Sequence, residues 1–96
     1  MQLEQYENRA EAILFASGEP LPQKRLAAAL EIEEDAAASV LESLAARYEK
    51  NDSAIELLRL DDCWQLCSRR EYAPDIRSAL ELKRSIPLSQ AALEVL

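Results

Sequence analysis

Ninety-six residues, 49 % hydrophobic and 30 % charged, make one small globular domain with a fragment of another, not a disordered chain. Such a length buries roughly 60–65 % of its unfolded surface, enough for one modest core. A net charge of −7 disfavours nucleic acid and anionic membranes as partners of the chain as a whole.

The first helix is predicted from about Leu3 to Ser17. Leu3, Tyr6, Ala10, Ile13 and Leu14 form its apolar stripe. Gly18 and Pro20 follow as a stop. Phe15 lies off the stripe on a side shared with Ala12, and two roles stay open for it. It covers the Gly18–Pro22 turn by packing on Leu21, or it stands exposed as an anchor for a partner. A short second helix runs from Pro22 or Gln23 to Leu30, burying Leu26 and Leu30, with proline compatible with its first turn. Glu31-Ile32-Glu33 turns the corner, plugged by Ile32.

The third helix, Glu33 to Lys50, buries a stripe of Ala37, Val40, Leu41, Leu44 and Tyr48. Its opposite side holds Asp35, Ala38, Glu42, Ala45, Ala46 and Glu49, carboxylates without a Lys or Arg. Asn51-Asp52-Ser53 ends it. Ala54–Leu60 and Cys63–Ser68 read as two strands joined at Asp61-Asp62. The first strand has apolar residues on both faces. The second puts Trp64 and Leu66 on one face and Cys63, Gln65 and Cys67 on the other. Trp64 completes the core, with a partner surface as the alternative. A fourth helix spans about Arg70 to Leu82, with Tyr72, Ile76 and Ala79 inward. Ser68 and Glu71 have capping-box spacing, and Pro74 makes the start irregular. Pro87 breaks the chain again, and Ser89–Leu96 begins another amphipathic helix. The apolar ending Leu93, Val95, Leu96 reads as a cut inside a longer protein.

This order predicts an α+β, mostly helical fold: a winged helix-turn-helix of three helices, a two-stranded hairpin wing and a fourth helix. The expected domain covers residues 1–84, and 85–96 are a linker and the start of a second, truncated winged-helix domain. In that fold the third helix would enter a DNA groove. Its acidic outer side repels the phosphates that supply most non-specific affinity, so a protein-binding adaptor is the better reading.

Catalytic and metal chemistry find little footing. There is no histidine, the commonest general base and zinc ligand. The single glycine, Gly18, excludes a P-loop or dinucleotide loop. Cys63 and Cys67, four residues apart in a strand, are separated by roughly 13 Å. A disulfide needs less than about 7 Å, so they read as two reduced thiols on one face. The cluster Glu31, Glu33, Glu34, Asp35 lacks the EF-hand glycine and spacing, and reads as carboxylates favouring a helix N-terminus. No enzyme, cofactor or metal is expected.

The charge is uneven. Residues 1–68 hold six basic and fourteen acidic side chains, a net −8, whereas residues 69–84 hold Arg69, Arg70, Arg77, Lys83 and Arg84 against three acids, a net +2. These bases read as a solvated helix face, with a patch for an acidic partner or DNA as the alternative. Lys24 and Arg25 read as solvated surface, with a phosphate contact as the alternative. The rival function is therefore a winged-helix DNA-binding transcriptional regulator. No stretch reaches the roughly 20 apolar residues that span a bilayer. Met1-Gln2-Leu3-Glu4-Gln5 lacks the features of a signal peptide, so a cytoplasmic protein is expected.

Glu11-Ala12-Ile13-Leu14-Phe15-Ala16-Ser17-Gly18-Glu19-Pro20-Leu21 resembles the opening helix and turn of the ScpB family, segregation and condensation protein B. Ile55-Glu56-Leu57-Leu58, Trp64-Gln65-Leu66 and Glu71-Tyr72-Ala73-Pro74 continue the likeness. Pro87-Leu88-Ser89-Gln90-Ala91-Ala92-Leu93-Glu94-Val95-Leu96 looks like the entry to that family's second winged-helix domain. Family members often carry glycine at the second-to-third helix corner and a glycine pair in the wing turn. Here those places hold Glu31 and Asp62-Cys63. The resemblance implies a non-catalytic accessory subunit of the bacterial condensin complex, cytoplasmic and nucleoid-associated through that complex. It implies dimerisation largely through the N-terminal domain and a grip on the kleisin ScpA, which bridges the SMC ATPase in chromosome compaction and segregation. The expected homodimer or kleisin surface is apolar area left over after core formation, with Phe15, Leu58 and Leu60 as candidates.

Overall fold

The computed structural model describes residues 3–85, with side chains described to residue 80. The elements run α1 (Leu3–Ser17), β1 (Leu21–Pro22), α2 (Gln23–Leu30), α3 (Glu34–Lys50), β2 (Ile55–Leu60), β3 (Cys63–Ser68), a 3-10 turn (Arg70–Tyr72) and α4 (Ala73–Ser85). The anticipated helices and hairpin are present. The expected start of a further helix at Ser89 lies outside the described residues.

Two acidic residues sit where glycine usually terminates a helix. Glu31 ends α2 with φ 59°, while its N–H bonds the Ala28 carbonyl and the N–H of Ile32 bonds that of Ala27. Asp52 repeats the arrangement after α3 with φ 52°, and Ser53 N–H reaches back to the Tyr48 carbonyl. Both are Schellman caps. The half-buried Ile32 packs on the core as expected. Gly18 ends α1 at φ 69° with its N–H on the Leu14 carbonyl. The wing turn, too, places an acid at positive φ, Asp61 at 61°. Three acids, Glu31, Asp52 and Asp61, thus occupy the left-handed region that glycine usually fills.

The sheet corrects the expected two-stranded wing. It has three antiparallel strands in the order β1-β3-β2, with Leu21 opposite Trp64 and Pro22 opposite Cys63. Pro22 therefore belongs to a strand and precedes the helix. A two-residue strand has no alternation to announce it, and proline is tolerated here because β1 lies at the sheet edge. The hairpin register pairs Ile55 with Ser68 through Leu60 with Cys63. Ile55, Leu57 and Arg59 thus share a face with Trp64 and Leu66.

The core gathers Ala10, Leu14, Leu26, Leu30, Val40, Leu41, Leu44, Tyr48, Leu57 and Trp64. Each large side chain among them contributes about 2 kcal/mol by leaving water. Trp64 is a core residue, and its indole N–H donates to Gln23 Oε1 at 3.0 Å. Leu3, assigned to the buried stripe, is instead exposed at the first turn of α1.

The fourth helix departs most from expectation. Ser68 stays in the β3 ladder, and the 3-10 turn has no side-chain cap, so the Ser68–Glu71 capping box does not form. The irregular start does appear, as that turn. Tyr72 and Ala79, expected inward, are exposed, as is Leu80, and only Ile76 is half-buried. The only substantial packing of α4 among the described residues is on the 3-10 turn before it. Helical periodicity marks an apolar face but does not say which surface will cover it.

Candidate protein interface

On α1, Asn8, Glu11, Ala12 and Phe15 recur at helical spacing and form a second stripe beside the buried one. This stripe is one wall of a groove of about 740 Å³. Tyr48 and Leu66 also line it, and Ser53, Ala54, Ile55 and Ser68 form the other side. Phe15 stands at its edge with 81 % of its surface in water. Phe15 is therefore exposed and not packed away over the Gly18–Pro22 turn, and Ile55 is also exposed. An exposed phenylalanine beside an apolar groove marks a place where another polypeptide gains by covering it.

Leu58 and Leu60 are also exposed, but elsewhere. They lie with Glu56 on the outward face of the sheet, opposite Gln65, Cys63 and Cys67 in register. Neither lines the groove. The three candidate residues therefore form two patches, one between α1 and the base of the wing, the other on the outer sheet face. Cys63 and Cys67 are half-buried free thiols paired in register with Leu60 and Glu56, and Cys67 also lines the groove. Burial, then the nearby Glu56 carboxylate, pushes the Cys67 thiol up from its ordinary value.

A polar cluster missed by sequence reasoning joins α1 to α3, and two of its members, Glu11 and Tyr48, line the groove. Glu7, only 6 % exposed, accepts from Ser43 Oγ at 2.5 Å and from Arg47 Nη1 at 3.2 Å. Arg47 also reaches Glu11 at 3.5 Å, and the Tyr48 hydroxyl donates to Glu11 Oε2 at 2.5 Å. Burial, then the hydrogen bond to Glu11, holds the Tyr48 phenol well above its ordinary value. The available signal was one of spacing. Glu7 and Glu11 are one turn apart on α1, as are Ser43 and Arg47 on α3, so two carboxylates face a hydroxyl and a guanidinium.

Arg69 fixes the exit from the sheet. Its side chain donates to the Ser53 and Tyr48 carbonyls and pairs with Glu49 at 3.2 Å, and its N–H bonds the Ala54 carbonyl. One of the bases from the positive 69–84 region is thus structural. The outward side of α3 keeps Asp35, Glu42 and Glu49 exposed as anticipated. Lys24 and Arg25 are exposed on α2. Among the described residues no helix is long and apolar enough to cross a membrane.

The model of the segregation and condensation complex subunit ScpB family matches residues 8–96. The chain is 39 % identical over 90 residues to a segregation and condensation protein B of Caldanaerobacter subterraneus subsp. tengcongensis, covering 94 % of this chain and 54 % of that protein. It spans about half the length of the curated relatives it matches. Among solved structures it resembles a dimer of a ScpB N-terminal domain complexed with ScpA peptide. The TM-score is 0.76 at 30 % identity, over 81 % of this chain and 98 % of that one. ScpB from Mycobacterium tuberculosis shares the fold, with a TM-score of 0.81 at 23 % identity, over 98 % of this chain and 56 % of that one. The winged helix, its acidic third helix and these likenesses agree: the chain belongs to the ScpB family of segregation and condensation complex subunits.

Proposed function

We propose that this chain is the N-terminal winged-helix part, residues 1–84, of a non-catalytic accessory subunit of a bacterial SMC condensin complex. Residues 85–96 then lead into a second winged-helix domain. It works by docking: it pairs with a second copy and holds a segment of the kleisin ScpA, through which it reaches SMC in the cytoplasm. The observation that carries this reading is the exposure of Phe15 beside an apolar groove. Together with the apolar groove beside it, Phe15 offers a contiguous apolar area for a partner to cover. The relative that is a dimer holding an ScpA peptide supports the same reading.

Two separated patches suit two partners. The groove with Phe15 and the outer sheet face with Leu58 and Leu60 can be covered at once. The exposed carboxylates of α3 stand where a DNA reader would need bases, which argues for a polypeptide partner. Sedimentation of the chain alone and with ScpA tests the proposal. The expected result is the mass of two copies alone, and a heavier species that includes ScpA on mixing. Phe15→Ala or Leu58→Asp should weaken one of these associations. A monomer that ignores ScpA would refute the reading.

A further inference from the structure

One edge of β3 is only partly paired, and its open part lies in the groove. The phase of the ladder fixes which backbone groups face that edge. Arg69 N–H bonds the Ala54 carbonyl, so the odd-numbered residues of β3 turn their backbone groups to β2. Gln23 N–H bonds the Asp62 carbonyl and Leu21 lies opposite Trp64, so the even-numbered residues turn theirs to the β1 side. β1 reaches only as far as Trp64. Leu66 and Ser68 lie beyond it, and neither is bonded across that edge among the described residues. Both line the groove. So does Cys67, whose side chain belongs by register to the other face, as expected where a groove runs along a strand.

The vacancy is held open locally. Continuing the β1–β3 register would place Glu19 opposite Leu66. The backbone of Glu19 is committed elsewhere: its N–H donates to Ser17 Oγ at 3.3 Å, and its carbonyl accepts from the same hydroxyl at 3.0 Å. Gly18, at φ 69°, and Pro20, which has no N–H, also stand outside the ladder. Leu66 and Ser68 thus each offer one N–H and one C=O to the groove. Two bonding positions about 7 Å apart along a strand match an extended polypeptide. A helix would not satisfy them, since its backbone groups bond within itself.

We propose that the groove takes an extended segment of the polypeptide partner, added to β3 as a strand in line with β1. Main-chain bonds to Leu66 and Ser68 hold it, and its apolar residues, at alternate positions, lie against Ala12, Phe15 and Ile55. Proline is excluded where the segment bonds β3. The proposal rests on the docking of ScpA put forward above and specifies the form in which a segment of it would bind. A second copy is the poorer source. Each strand of this chain among the described residues already lies in its own sheet, which leaves no free extended segment to lend.

The test is amide hydrogen exchange, read residue by residue by NMR on the labelled chain, alone and with unlabelled ScpA. Alone, Leu66 and Ser68 should exchange faster than Gln65 and Cys67, whose N–H groups face β2. ScpA should slow Leu66 and Ser68 by about tenfold or more, and Gln65 and Cys67 by much less. Ser68→Pro removes one N–H of the open edge without touching a bond to β2. It should weaken ScpA binding by about tenfold with the circular dichroism spectrum unchanged. If that variant does not fold, the exchange rates of the unaltered chain decide alone. ScpA that binds while both amides exchange as in the free chain overturns strand addition and leaves the docking reading standing. Protection of both amides in the chain alone gives the edge to a second copy or to the chain itself, and also overturns it. A chain that does not bind ScpA overturns both.

Discussion

α3 and α4 are both amphipathic helices, yet only α3 is buried against the rest of the described residues. α3 buries Ala37, Val40, Leu41, Leu44 and Tyr48 against α1, α2 and β2. α4 carries an apolar stripe of similar pattern and buries none of it among the described residues. The sequences of the two helices announce an apolar face equally well. What separates them is the geometry of the connections. A tight corner at Glu31 returns the chain so that α3 packs on α2, whereas the 3-10 turn Arg70–Tyr72 leads the chain from β3 into α4, whose only substantial packing among the described residues is on that turn. Amphipathicity therefore tells that a helix will be covered, and the exits decide by what.

That contrast can be broken most sharply at two leucines. Leu44→Ala should cost about 3 kcal/mol, because Leu44 is fully buried and its removal leaves a cavity. Leu80→Ala should change the stability of the isolated fold by less than about 0.5 kcal/mol, as an exposed site away from any special contact. Urea unfolding at protein concentrations below dimerisation measures both. Equal losses would show α4 to be part of the core.

The next effect belongs to the polar cluster between α1 and α3. Arg47→Ala leaves the Glu7 carboxylate buried with only Ser43 as partner. The loss should be about 2 kcal/mol, below the ~3–5 kcal/mol of a fully buried pair because the Arg47 side chain is 30 % exposed. A loss near zero in the same unfolding assay would make the cluster incidental to the α1–α3 contact.

Alkaline pH probes the same contact through Tyr48. Its phenol is held above the ordinary value of 10.0 in the fold, so the unfolded chain gives up that proton first as pH rises. The folded state then binds more protons than the unfolded one, and stability falls above about pH 10. Tyr48→Phe should flatten that part of the pH profile, and an unchanged slope would contradict the assignment. The smallest expected effect lies at the corner that turns α3 inward. Glu31→Gly should gain about 0.5 kcal/mol, since glycine adopts the φ of 59° without steric cost.

The helices, the hairpin and the core stripe of α3 were readable because their periodicity survives in sequence. β1 was not, since Leu21-Pro22 is too short to show a period and only its pairing with Cys63-Trp64 makes it a strand. Glu7 was missed because a carboxylate signals surface until a facing Ser43 and Arg47 satisfy it. Ser68–Glu71 had the spacing of a cap, but Ser68 was already taken by the sheet. Of the candidate interface, the exposure of Phe15, Leu58 and Leu60 is what the structure shows. Their division into two patches depends on strand register and on the meeting of α1 with the wing, which only the three-dimensional arrangement supplies.

Whether this winged helix meets polypeptides or nucleic acid is decided by one titration, with labelled ScpA and a labelled DNA duplex followed by fluorescence anisotropy between 50 and 200 mM salt (about the range over which phosphate-driven affinity collapses). The account predicts saturable ScpA binding that changes little across that range and no tight DNA binding. Tight DNA binding with a steep salt slope, and no response to ScpA, would contradict it.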